Sequence, residues 1–164
     1  MKTIIIVSGH CGTTMKAARM LAEKLGGADI FDTKDDNASF DFSSYDNFVF
    51  GSNMRMFMLN GRFKKWAGKL KKQYKSKNVY GYLIGCMETN DKALAKLSNK
   101  LPGNKGVVYA WGEFVTEGVS GQTAGMYENM KKDSLEKGKD LPHIREEELE
   151  KLAQLICNIS RHLP

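Results

Sequence analysis

"TIIIVSGHCGTTMKAARMLAEKLGG", residues 3–27, decides the architecture. Thr3 to Val7 is a β-branched run with no polar alternation. That is the pattern of a strand buried on both faces of a parallel sheet. From Thr14 onward, Ala17, Ala18, Leu21, Ala22 and Leu25 recur at helical spacing, and Gly26-Gly27 stops the helix. Between strand and helix lies Ser8-Gly9-His10-Cys11-Gly12-Thr13-Thr14. A strand, a small polar loop and a helix start can together hold a phosphate, because free N–H groups and the helix dipole meet there. Gly12 permits close backbone approach or a positive φ, and Thr13 can cap the helix. The same residues also read as a capped turn with no ligand. Through Cys11 beside His10 they read, further, as the seat of a reactive thiolate.

Three named motifs do not fit. The P-loop needs a lysine directly after its second glycine, and none follows Gly12. The G-x-G-x-x-G dinucleotide fingerprint is absent. A low-molecular-weight cysteine phosphatase needs an arginine six residues after its cysteine, where this chain has Ala17.

Outward from this stretch the pattern repeats. Strands are predicted at Ala28 to Phe31, Phe48 to Phe50, Val79 to Ile84 and Val107 to Trp111. Helices are predicted around Phe63 to Leu70, around Leu94 to Leu101, and from Arg145 to Ser160. Residues 118–142 are glycine- and charge-rich, with a short helix around Met126 to Leu135; they form a surface excursion or a lid. Five strands alternating with helices predict a single α/β domain over 1–164 with a mainly parallel sheet. In such sheets ligands bind beyond the carboxyl ends of the strands. The loops at those ends are Ser8 to Thr14, Gly51 to Gly61, Cys86 to Asn90 and the stretch from Trp111 to Phe114.

Composition narrows the class. The chain is 41% hydrophobic and 27% charged, ordinary for a globular protein. No apolar run approaches the roughly 20 residues of a membrane helix, and the N-terminal apolar stretch is too short for a secretory signal. A cytoplasmic location is the expectation. Cys11, Cys86 and Cys157 are scattered and form no C-x-x-C pair, so neither a disulfide framework nor a zinc site is expected. The formal net charge is +6, and eight basic residues with no acidic one fall between Arg62 and Lys77. This run is a solvated helix face, or a surface for an acidic partner or an anionic membrane. No aromatic-rich motif accompanies it, so nucleic acid is not expected.

The second loop carries Met54, Met56, Met58 and Phe57, soft side chains that suit a flat aromatic ligand or pack over the core. Ser8 with Gly12-Thr13-Thr14, Gly51-Ser52-Asn53 with Met56, and Cys86-Met87-Glu88 follow successive strands. In that order they resemble the flavodoxin-domain family, and within it the branch of menaquinone-dependent protoporphyrinogen oxidase. The resemblance implies a flavodoxin-like fold with a five-stranded parallel sheet in order 2-1-3-4-5. It also implies FMN at the strand ends. Ser8, Gly9, His10, Cys11, Gly12, Thr13 and Thr14 would then hold the phosphate. Ser52, Asn53, Met54, Arg55, Met56 and Phe57, with Cys86, Met87 and Glu88, would flank the ring. Trp111 and Gly112 would lie near it or close the sheet. The chain departs from the family where it has Gly9 and Cys11, positions usually held by hydroxyl or aromatic residues. Its second loop lacks the tryptophan or tyrosine often stacked on the ring, and the chain is basic where flavodoxins are acidic.

The leading expectation is an FMN protein that transfers electrons to a redox partner or a small-molecule acceptor, or reduces or oxidises a small substrate. The alternatives are an interaction module of the same fold without flavin, and a thiol-dependent enzyme using Cys11.

Overall fold

The computed structural model describes residues 1–35, 40–55, 58–88, 91–115, 119 and 121–161, with the side chains of 55 and 159–161 outside that description. The strands are β1 (Thr3–Ser8), β2 (Asp29–Asp32), β3 (Asn47–Arg55), β4 (Met58–Leu59), β5 (Asn78–Ile84) and β6 (Gly106–Tyr109). The helices are α1 (Thr13–Lys24), α2 (Gly61–Leu70), α3 (Asp91–Lys100), α4 (Gly121–Glu136) and α5 (Glu146–Arg161), with a single 3-10 turn at Tyr74–Ser76. The sheet order is β2-β1-β3-β5-β6, parallel throughout, and β4 pairs antiparallel with β3. Leaving β4 aside, this is the expected order 2-1-3-4-5.

The β-branched run works as its composition dictates. Ile4 and Ile6 join one buried cluster with Phe48, Phe50, Trp66 and Leu97, under α2 and α3. Ile5 and Val7 join the other with Leu21, Val49, Tyr82 and Leu152, under α1 and α5. Alternate side chains of one strand thus feed two apolar layers. Phe31 packs edge-on against Phe42 and Trp66, and Phe42 lies tilted against Trp66, at 4.9–5.9 Å between ring centres, closing the β2 end of the first layer.

Two expectations are corrected. Gly51 to Gly61 is not an open loop: β3 continues to Arg55, with Ser52 opposite Leu83 and Asn53 opposite Ile84, and the chain folds back as β4. The helix expected around Met126 to Leu135 runs from Gly121 to Glu136. Among the described residues no helix is long and apolar enough to cross a membrane.

An acid-sensitive clasp holds the N-terminal edge. The Tyr45 hydroxyl donates to Asp29 at 2.6 Å, and Lys2 Nζ lies 3.2 Å from the same carboxylate. The Tyr45 hydrogen bond first, then Lys2, hold the Asp29 carboxyl below its ordinary range. A lowered folded-state pKa contributes stability above the unfolded pKa and loses it as pH falls through the folded one. Acid unfolding of the Tyr45→Phe variant is therefore expected to show a shallower loss of stability below the ordinary carboxylate range. Asp29 is half exposed, so the difference is small. Urea unfolding at stepped pH checks it.

Candidate functional site

Because the strands are parallel, the loops after β1, β3, β5 and β6 meet at one edge. The first is built most tightly. Helix α1 begins after Gly12, which sits at φ 80°, a left-handed conformation suited to glycine. No side chain caps this helix, and its first turn holds no carboxylate. Thr13, expected as a cap, is instead the first helical residue. No capping side chain therefore satisfies the first N–H groups of α1, and free N–H groups at a helix start favour an anion.

The backbone of this loop is tied from three sides. The Tyr82 hydroxyl, buried in β5, donates to the Thr14 carbonyl at 2.7 Å. The Arg62 guanidinium, in the first turn of α2, donates to the Gly9 carbonyl at 2.9 Å. Ser8 Oγ lies 3.0 Å from Thr33 Oγ1, which itself donates to the Val7 carbonyl. The Ser8 hydroxyl therefore serves the β1–β2 joint. Gly9 has a packing reason: a Cβ there would stand 2.8 Å from Thr14 Cβ and Oγ1. A hydroxyl residue does not fit where the family usually has one.

The other loops are held by their own side chains. Asn60 Nδ2 donates to Asn53 Oδ1 at 2.8 Å, while Asn60 Oδ1 caps α2 by accepting from the Arg62 N–H at 2.9 Å. Ser52 is buried, its hydroxyl bonding the Asn53 carbonyl at 3.2 Å. After β5, Tyr109 Oη donates to the Met87 carbonyl at 2.6 Å and Trp111 Nε1 to the Cys86 carbonyl at 3.3 Å. Trp111 itself has φ 55°, an uncommon conformation for a bulky residue and a mark of local strain. Arg145 lies over its ring at 4.8 Å and His143 at 5.0 Å.

These loops line a partly open cleft of about 30 Å³, bordered by Cys11, Thr13, Thr14, Asn53, Met54, Cys86 and Gly112 among the expected residues. That volume holds about one water. Tyr127 of α4 lines it as well, hydrogen-bonds Cys86, and has its ring 5.7 Å from that of Phe114. A neighbouring cavity of about 460 Å³ shares Cys86 and is lined by Glu88, Trp111, Phe114 and α4 residues including Met130. His10 and Met87 face outward. Met56 and Phe57, with Thr89 and Asn90, lie outside the described residues, as does the side chain of Arg55.

Burial pushes the Cys86 thiol up, against a hydrogen bond from Tyr127 that lowers it. Cys86 is therefore a neutral thiol at neutral pH, and its iodoacetamide labelling is expected to be slower than that of free cysteine. Peptide mapping after timed alkylation reads this directly.

The sequence profile of the flavodoxin domain matches residues 4–120. The chain belongs to the flavodoxin-domain family. Solved structures share its fold. Flavodoxin 1 from Bacillus cereus superposes with a TM-score of 0.55 at 14% identity, over 83% of this chain and 98% of that one. A short-chain flavodoxin associated with a bacterial microcompartment gives 0.62 at 11% identity, over 98% and 99%. A flavoprotein from Lactobacillus acidophilus, solved in complex with FMN, gives 0.54 at 17% identity, over 66% and 92%. Among curated proteins, none matches the chain.

In this flavodoxin domain, Arg62, Tyr82, Asn60 and Tyr127 escaped the sequence reading. Arg62 was visible only as the first member of the basic run. Its distinguishing signal is its place in the first turn of α2, two residues after an Asn cap.

Proposed function

We propose that this flavodoxin domain binds FMN non-covalently at the carboxyl ends of its strands and uses it to transfer electrons, or to oxidise or reduce a small substrate. One observation carries the reading: α1 starts without a capping side chain or a first-turn carboxylate, behind a loop whose backbone Tyr82 and Arg62 hold in place. The residues suit a phosphate. The N–H groups at Gly12 to Thr14 would receive its oxygens, and the Arg62 guanidinium would add positive charge behind the loop. Arg62 Nε is buried without a hydrogen-bond partner among the described residues. When bound, the flavin supplies the electron chemistry. The chain's part is to fix the phosphate, to hold Asn53 and the Cys86–Met87 backbone at the ring's edge, and to exclude water.

Helix α4 is the cap over this site. Thr123 is its one buried residue among those described, while Met126 and Leu135 are exposed, so little apolar burial holds it down. The cleft of about 30 Å³ beside Tyr127 is narrower than the ring, and outward movement of Tyr127 with α4 would widen it. Tyr127→Ala is expected to speed FMN association several-fold in stopped-flow measurements. The likeness to the branch of menaquinone-dependent protoporphyrinogen oxidase would add a small substrate to this picture, taken at the exposed flavin edge.

The narrowness of this cleft is the observation favouring the alternative, an interaction module without flavin. Titrating FMN into the apo protein while following flavin fluorescence separates the two. Saturable one-to-one quenching supports the proposal; none at high micromolar FMN, with the protein folded, supports the module. Cys11→Ser is expected to leave this titration unchanged, since the backbone and not the thiol contributes the phosphate donors. Loss of a measured turnover in that variant, with flavin still bound, would instead favour the thiol enzyme.

A further inference from the structure

A cluster of lysines lies at the opposite end of the sheet. Two adjoining grooves, of about 280 and 470 Å³, run between the C-terminal ends of α2 and α3. They share Lys71, Tyr74 and Pro102. The first is also lined by Lys64 and Lys100, the second by Lys75 and Lys77. No carboxylate lines either groove. Among the described residues Lys64, Lys71, Lys75 and Lys100 form no ion pair, and Lys77 donates only to the Ser43 carbonyl at 3.1 Å.

Helix C-termini account for part of this. Each of the two helix ends carries about half a negative charge, so together they offset about one lysine. Most of the positive charge is left over. Like charges lining a concave surface raise the local potential and concentrate anions. Tyr74, 2% exposed, lines both grooves, and its buried hydroxyl has no hydrogen-bond partner. A buried hydroxyl without a partner costs free energy.

We propose that these grooves form a second anion site, which binds a small molecule carrying two or more phosphate groups. The charges sit in concavities of small-molecule size rather than on a protruding face, which favours such a ligand over a membrane or an acidic protein. Ammonium groups act as point charges toward phosphate, so five of them suit several phosphates better than one carboxylate. The site is separate from the FMN cavity. Val79, at the start of β5, lines the groove, and Ile84 and Gly85, at its end, line the cavity. Along a strand that is a separation of about 20 Å.

The test uses the full chain, with tripolyphosphate and ADP as probes in isothermal titration. Saturable one-to-one binding is expected. It should weaken at least about tenfold when Lys71→Gln and Lys100→Gln are combined, as lost charge-assisted hydrogen bonds require. It should persist when Lys131→Gln and Lys132→Gln remove the same charge from α4. It should also survive Gly12→Val, which disables the α1 site. Four results would overturn the proposal: no binding, equal weakening by both lysine pairs, loss in Gly12→Val, or capture by anionic vesicles or polyglutamate that tripolyphosphate does not displace. None of these outcomes depends on whether FMN binds.

Discussion

Gly51→Ala is expected to lower the unfolding free energy by about 3–5 kcal/mol, from overpacking and a lost buried hydrogen bond. Gly51 lies in the middle of the sheet, where β3 passes the fully buried Tyr82 of β5. A Cβ at position 51 would stand 2.2 Å from both Cζ and Oη of Tyr82. The ring cannot step aside, because the second apolar layer surrounds it and its hydroxyl is bonded to the Thr14 carbonyl. Burial pushes that phenol far above its ordinary range, so it stays a neutral donor at any working pH. Displacing the ring therefore breaks the strut under the α1 loop as well as the core. Chemical denaturation reads the first effect. A cycle with Tyr82→Leu isolates the clash: the second substitution should recover part of the loss, since it removes the ring tip. Equal stability of Gly51→Ala and the parent would show that β3 does not pass Tyr82 in this register.

Gly12→Val is expected to weaken FMN binding about 100-fold, or about 3 kcal/mol, while costing the fold less. The two effects separate because nothing lies within 4 Å of a Cβ at this position. The penalty is conformational. At φ 80° a β-branched residue is a genuine outlier, so the turn must reshape and the N–H groups of Thr13 and Thr14 lose their common direction. Gly12→Ala should fall between the two, because alanine tolerates the left-handed region better than valine. Titration calorimetry with FMN, beside denaturation of the same variants, measures both quantities. An affinity unchanged in Gly12→Val would remove the phosphate from this loop.

The fold was legible where local pattern and tertiary role agree. Thr3 to Val7 and the apolar spacing of α1 needed only periodicity. The second loop was misread because Gly51-Ser52-Asn53 carries turn chemistry. Pairing of Ser52 and Asn53 with β5 overrides that preference and extends the strand. Helix α4 was read short because its weak amphipathicity gives periodicity little to detect, although it covers the site. The loops themselves were legible as a set, but not what fixes them. Arg62 reaches Gly9 and Tyr82 reaches Thr14 across more than fifty positions, a distance at which no spacing rule operates. Gly9 shows the converse. It stands where the resemblance implies a hydroxyl residue, and the packing of Thr14 against it explains why no side chain stands there.

Comparing FMN with riboflavin tests the account most directly, because the two differ only by the phosphate that the α1 loop is held to receive. Titrated into the folded apo protein, FMN is expected to bind one-to-one and at least about 100-fold more tightly than riboflavin, as several charge-assisted hydrogen bonds imply. Equal affinities, or no binding of either, would contradict it.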